Sequence, residues 1–239
     1  MTLKLNQFNE FDFRIDDIGA SSKIYERYSK FPILGNVGFL KNRKILGNWG
    51  PYNELNAKEI DKLILIMHEA NKKLAVAVTA AWILPNNNLI PFNKKFPEQA
   101  KILKEASQNR LITILNHGLS HCVIGLHMPR LLSSNRKYHR EFVDLLPEFI
   151  HKKHILMSQE ILEEWIESPI NILAPPGNCY SLKTVKACED TNIKYIHASR
   201  NMVPKESSIN YLNLGKCVCF HDREIKLYGE QFLYKLLKK

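Results

Sequence analysis

Phe11-Asp12-Phe13-Arg14-Ile15-Asp16-Asp17-Ile18-Gly19 is an alternating apolar run that ends in two adjacent carboxylates. It reads as a β-strand over Phe11–Asp16, with Gly19 placed for a sharp turn just beyond. Successive strand side chains point to opposite faces, so one Asp can face a cation while its neighbour faces a water. A turn or helix-cap role accounts for an Asp pair before Gly equally well. Farther along, the apolar run Leu111–Leu115 reads as another strand, and His117-Gly118-Leu119-Ser120-His121 follows it. Histidines four positions apart lie on one face if the segment is a helical turn. The Glu of a His-Glu-x-x-His protease helix is absent, which removes that chemistry. Each histidine alone is as readily structural. Together, the two segments offer the carboxylates and imidazoles that a water-activating divalent metal requires.

The remaining chain alternates strands and helices. Ala57–Lys73 has Ile60, Leu63, Ile64, Met67 and Ala70 at helical spacing, and Asn56 with Glu59 forms a capping-box pattern. Leu74–Trp82 reads as a strand and Phe96–Gln108 as a helix. Helices are expected over Asn135–His151, Ser158–Glu167 and Leu182–Thr191, and strands at Ile170–Ala174, Tyr195–Ala198 and Val218–His221. A basic C-terminal helix follows, with loops at Pro85–Asn88 and Ser207-Ser208. This order predicts an α/β fold with a mostly parallel sheet, open or closed into a barrel, as one domain over residues 1–239.

In such folds the active site lies at the carboxyl ends of the strands. Asp16-Asp17, His117, Pro175–Asn178 and His221 all fall there. Period-two alternation puts Cys217, Cys219 and His221 on one face of their strand. An imidazole at that end suits protonation of a leaving amine, although a surface histidine is the plainer account. Ala174-Pro175-Pro176-Gly177-Asn178 is a stiff turn, either a pocket wall or an ordinary loop. Trp49, Tyr52, Trp82, Asn178 and Tyr180 are residue types that stack on or hydrogen-bond a sugar, and equally types that fill a core.

Composition narrows the function classes. The formal net charge is +10, from 34 Lys plus Arg against 24 Asp plus Glu. That bias suits an anionic ligand, such as a nucleotide-sugar or lipid phosphate, or simply a solvated basic surface. No helix-turn-helix, zinc-finger or RNP-type signature is present, so no nucleic-acid partner is expected. Cys122, Cys179, Cys188, Cys217 and Cys219 are an odd, irregularly spaced set and are expected to stay reduced. No window reaches the ~18 apolar residues of a spanning helix, and Met1–Asn6 lacks a secretory apolar core, so a cytoplasmic location is expected. The weakly amphipathic Phe232–Lys239 is compatible with peripheral membrane contact, but core packing is its expected fate.

Read together, Arg14-Ile15-Asp16-Asp17-Ile18-Gly19, His117-Gly-Leu-Ser-His121, Ala174-Pro-Pro-Gly-Asn178 and Cys219-Phe-His221-Asp222 resemble the ordered motifs of the polysaccharide deacetylases, carbohydrate esterase family four. The resemblance spans residues 11 to 222 and implies a distorted (β/α) barrel. It implies a divalent metal, usually zinc, on Asp17, His117 and His121, with Asp16 as general base and His221 as general acid. Pro176, Asn178, Trp49 and Arg14 are the expected substrate-binding residues. The implied reaction is hydrolysis of an N-acyl group, acetyl or formyl, from a sugar. The chain resembles a divergent intracellular branch of the family, linked to surface-polysaccharide or lipopolysaccharide sugars, and a nucleotide- or lipid-linked N-acyl sugar is the substrate expected from the cytoplasmic location and the basic surface. The family's third motif begins with an Arg that orients the base. Here Ala174 stands in that position, so Arg14 or Arg140 must serve instead, or the chain is an impaired barrel that binds carbohydrate without turnover.

Overall fold

The computed structural model describes residues 11–26, 52–129 and 135–238. In chain order the elements are β1 (Phe13–Ile18), α1 (Ser22–Tyr25), α2 (Ala57–Glu69), β2 (Leu74–Val78), β3 (Ala81–Ile83), β4 (Leu89–Pro91), α3 (Phe92–Lys95) and α4 (Pro97–Gln108). They continue with β5 (Ile112–Asn116), α5 (Glu148–Ile166), β6 (Ile172–Leu173), α6 (Leu182–Glu189), β7 (Tyr195–Ala198), β8 (Asn210–Asn213), β9 (Val218–His221), α7 (Asp222–Tyr228) and α8 (Gln231–Leu237). Seven strands form one parallel sheet in the order β8-β7-β6-β5-β2-β1-β9, while β3 and β4 make a small antiparallel hairpin.

Chain length forces this sheet to curl. Strands β8 and β9 lie at opposite ends of the strand order, yet only residues 214–217 separate them, three of these in a 3₁₀ turn. Laid flat, the two edges would be about 29 Å apart at a strand spacing of about 4.8 Å. The link spans at most about 19 Å, at about 3.8 Å per Cα step. The sheet therefore wraps into the distorted (β/α) barrel type. A hydrogen bond of 2.7 Å from Arg14 Nη1 on β1 to the His197 carbonyl on β7 crosses the interior of that curve.

Strand alternation sorts the side chains into two layers. Outward residues Phe13, Ile15, Val76, Val78, Ile112, Ile114 and Phe220 pack with Ile60, Leu63 and Met67 of α2, Leu103 of α4, Leu162 and Trp165 of α5, and Leu233 of α8. Leu173 and Ile196 form a second outer cluster with Ile155, Val185 and Cys188. The inward set is smaller: Ala75, Ala77, Leu115, Ile172 and Ala174, with Cys217 alongside. This leaves room inside the barrel for Arg14.

Helix α2 begins with the expected capping box, Glu59 N donating to Asn56 Oδ1 at 2.9 Å and Asn56 N to Glu59 Oε2 at 2.7 Å. Residues 135–151 differ from expectation. They form only a 3₁₀ turn at Arg136–Tyr138, and α5 starts after Pro147 and runs unbroken through the second expected helix. Pro147 lacks an amide proton and so stands just outside the helix rather than within one. Buried Asn135, His139 and Glu141 serve neighbouring loops instead. The segment 74–82 divides at Thr79-Ala80 into β2 and β3, and the half-exposed β8 carried no alternating apolar signal. The C-terminal apolar residues Leu233 and Leu236 are buried. Among the described residues, no helix is long and apolar enough to cross a membrane.

The turn after β1 relies on Gly19, which sits at φ +76°. A Cβ there would stand 2.5 Å from the Phe92 ring and 3.0 Å from the Thr79 carbonyl oxygen. Gly19→Ala is expected to destabilise the fold by about 2 kcal/mol through strain and overpacking, read as a lower urea midpoint at unchanged slope.

Candidate metal centre and catalytic cleft

Two strand ends, those of β1 and β5, bring the first group together. β1 pairs with β2 in register up to Ile15 and resumes at Ile18, a bulge that spans the Asp pair. Asp17 lies at φ +69° within it. A bulge re-aims a side chain, and Asp17, which simple alternation would send outward among the helices, instead meets His117 and His121. Asp17 Oδ1 is 3.3 Å from His117 Nε2 and 2.9 Å from His121 Nε2. Asp17, His117 and His121 each offer a donor atom within 4.8 Å of the others, and all three are buried.

The two histidines are not on a helical turn. His117 directly follows β5, its amide bonded to the Val78 carbonyl, and the loop to His121 bends at Gly118 (φ +79°) and His121 (φ +59°). A single carboxylate organises that loop. Glu141, fully buried, accepts from the amides of Leu119, Ser120 and His121 at 3.1 to 3.2 Å and lies 2.6 Å from His154 Nδ1. Gly118 makes room for it, since a Cβ there would stand 2.2 Å from Glu141 Oε2. Glu141 carries no local sequence signal, because it acts from an irregular segment onto a loop twenty residues away.

A second buried charge secures the Asp17 turn. Lys23 Nζ donates to the Asp17 carbonyl and lies 2.6 Å from both Glu54 Oε2 and Asp222 Oδ2. Glu54 Oε2 also accepts from Gly19 N at 2.7 Å, and Tyr52 Oη donates to Asp222 Oδ1 at 2.9 Å. Burial raises Asp222 to about 7, against the pull of Lys23. Tyr52, a candidate sugar contact from sequence, thus belongs to this clamp.

The donor set fits a divalent cation. His117 Nδ1 is 2.6 Å from the Ala174 carbonyl and donates to it, which turns Nε2 toward Asp17 Oδ1 at 3.3 Å. At that place Nε2 donates to the carboxylate when protonated and offers its lone pair to a cation when not. His121 Nε2 is close to Asp17 but out of hydrogen-bond alignment, the relation expected of two donors sharing one ion. Burial raises the Asp17 carboxyl, but His121 and His117 hold it well below the usual range.

Asp16 keeps the inward orientation of its strand. Arg14 Nη2 donates to Asp16 Oδ2 at 2.6 Å and to Asn178 Oδ1 at 3.3 Å, and Cys219 Sγ donates to the same Asp16 oxygen at 3.4 Å. Arg14 is wholly buried, so it sits beneath Asp16 rather than beside a substrate as expected. Asp16 Oδ1 has no hydrogen-bond partner among the described residues. Burial raises Asp16, while Arg14, His117 and His221 together bring it below the ordinary value. Ala174 contributes its carbonyl to His117, a role any residue type can fill.

His221 is registered directly across from Asp16 on the adjacent strand. It caps α7, its amide donating to Glu224 Oε2 at 2.7 Å. Burial lowers the imidazole, but Glu224, Asp17 and Asp16 raise it to about 9. Asp17, His121, Asn178 and His221 line a cleft of about 180 Å³. Gly177, of the turn read from sequence as a possible pocket wall, and Arg140 complete it together with Glu26, Arg136 and His139, which the sequence did not single out. Burial lifts Glu26 to about 7, and Arg136 Nε is 3.5 Å from it. Pro176 is buried behind the wall, and Trp49 lies outside the described residues.

No protein-family model and no curated protein matches the chain. Among solved structures it is similar to the deacetylase domain of BpsB from Bordetella bronchiseptica, at 13% identity over 70% of this chain and 68% of that one, with a TM-score of 0.46. It is also similar to a CE4-family pseudoenzyme from Bacillus anthracis, at 10% identity over 77% of this chain and 57% of that one, TM-score 0.45. A third similar structure is the Streptococcus pyogenes deacetylase PplD in complex with acetate, at 12% identity over 72% of this chain and 66% of that one, TM-score 0.44. The chain spans little more than half the length of the second. Its resemblance to the polysaccharide deacetylases rests on its own strand-end motifs and on how the fold gathers them.

Proposed function

We propose that this chain is a metal-dependent amide hydrolase that removes an acetyl or formyl group from the nitrogen of a sugar. The observation that carries this reading is the convergence of Asp17, His117 and His121 within 4.8 Å, beside an Asp16 held by Arg14 at 2.6 Å.

A divalent cation, zinc by the two-imidazole, one-carboxylate donor set, would be held by Asp17, His117 and His121, and would supply Lewis acidity toward the amide carbonyl and acidify a water. Asp16 takes the proton from the attacking water at its free Oδ1. Arg14 fixes the other oxygen and keeps the carboxylate ionised. It is the positioning residue that stands in for the family's third-motif arginine. His221, protonated through its acidic neighbours, donates to the departing amine. The three ligands are buried, and Asp17 and His121 line the cleft through which a substrate would reach them.

One observation favours a second reading. Ala174 replaces the family's arginine, as in a barrel that binds carbohydrate and no longer turns it over. The two readings separate on acetate or formate release from a panel of N-acylated sugars by zinc-loaded protein. Release supports the hydrolase, and its absence from a metal-replete sample supports the binding protein.

Asp16→Asn is expected to lower turnover by about a hundredfold to ten-thousandfold, the usual contribution of a general base, with metal content unchanged by elemental analysis. His121→Ala is expected to lose stoichiometric zinc and, with it, all turnover. Retention of tight zinc by that variant would place the ion elsewhere.

A further inference from the structure

We propose that the substrate carries a phosphate ester beside its N-acyl sugar, and that Arg140 is the side chain that recognises it. This rests on the hydrolase reading of the same cleft.

The charges lining the cleft are nearly all accounted for. Asp17 is matched by the two histidines, and Glu26 by Arg136 at 3.5 Å. His221 is answered by Glu224, with the two nitrogen–oxygen groups 3.6 Å apart. Arg140 stands apart. It lines the cleft half-buried, and its guanidinium has no hydrogen bond, ion pair or ring contact among the described residues. The mechanism does not use it either, because Arg14 orients the base.

Its position is built. Gly177, at φ +60°, lies against the arginine stem, and a Cβ there would stand 3.3 Å from both Arg140 Cγ and Nε. The absent side chain gives the stem a bed along the Pro176–Asn178 wall, next to the Asn178 whose amide oxygen meets Arg14. The guanidinium nitrogens of Arg140, open to water and bonded to no protein group among the described residues, are available to an acceptor on a ligand. Its planar fork matches the paired oxygens of a phosphate, in hydrogen bonds stronger than neutral ones. An amide and sugar hydroxyls alone would leave that charge unanswered. An excess of 34 basic over 24 acidic residues adds long-range attraction for the same ligand.

The test compares matched neutral and phosphorylated N-acyl sugars, N-acetylglucosamine against its 1-phosphate, its 6-phosphate and its uridine diphosphate conjugate. Zinc-loaded wild type, Arg140→Gln and Arg140→Lys are measured for kcat/KM. The wild type is expected to prefer at least one phosphorylated member by about tenfold or more, the Gln variant to lose that preference, and Lys to restore part of it. An N-acetylmuramic acid arm asks whether a carboxylate serves instead. A carboxylate preference that depends on Arg140, or a phosphate preference unchanged in Arg140→Gln, overturns the proposal. If no member is turned over, the hydrolase reading is decided separately on the wider panel of N-acetyl and N-formyl sugars, and calorimetric binding of the same sugar phosphates decides the inference by itself. Affinity that falls about tenfold in Arg140→Gln upholds it, and equal or absent binding in wild type and variant refutes it.

Discussion

A buried ion pair at the centre of a curled sheet governs the architecture of this protein. Arg14 and Asp16 point the same way from one strand, two residues apart, into an interior otherwise lined by Ala75, Ala77, Ala174 and cysteine thiols. Taking a guanidinium out of water is costly, and a single carboxylate seldom compensates fully. Here the cation also meets the His197 carbonyl from the far side of the curve and the Asn178 side chain from the loop after β6. Those contacts exist only if the sheet closes on itself. The closure that satisfies Arg14 is therefore the closure that brings β1, β7 and the Pro176–Asn178 wall around one cleft.

The candidate site is held by charges outside the groups proposed to react. Glu141 collects three amides of the His117–His121 loop, and Lys23 clamps the Asp17 turn through a carbonyl and two carboxylates. Both are buried, and both answer backbone groups that left-handed or bulged conformations withdraw from the sheet ladder. The strained residues Asp17 and His121, both at positive φ, are held in place by these partners. Division of labour follows from burial: the outer layer supplies apolar stability, and the inner layer and strand ends carry the polar network.

Much of this was legible in one dimension. Apolar periodicity located β1, β2, β5, β7, β9 and most helices, because a residue's face in a strand or helix is set by local geometry. The Asp16-Asp17 and His117–His121 segments were legible as candidate ligands because they end such strands. The true start of α5 was obscured by residues 135–146, which mix polar and apolar types and whose buried members Asn135, His139 and Glu141 find partners in other loops. β8 was obscured because half-exposed edge strands need no alternating apolar pattern.

Sequence by itself determined most of the order of strands and helices, the strand-end location of the candidate site residues, and the chemical types available there. The motif resemblance named Asp17 as the carboxylate that meets the histidines, and tertiary structure supplied the physical reason, a bulge rather than simple alternation. Tertiary structure alone decided that Arg14 rather than Arg140 supports Asp16, because only the curled sheet sets distances between residues remote in sequence. It also recruited Glu141, Lys23 and Glu54, whose roles arise from packing across the fold and leave no mark in the neighbouring residues.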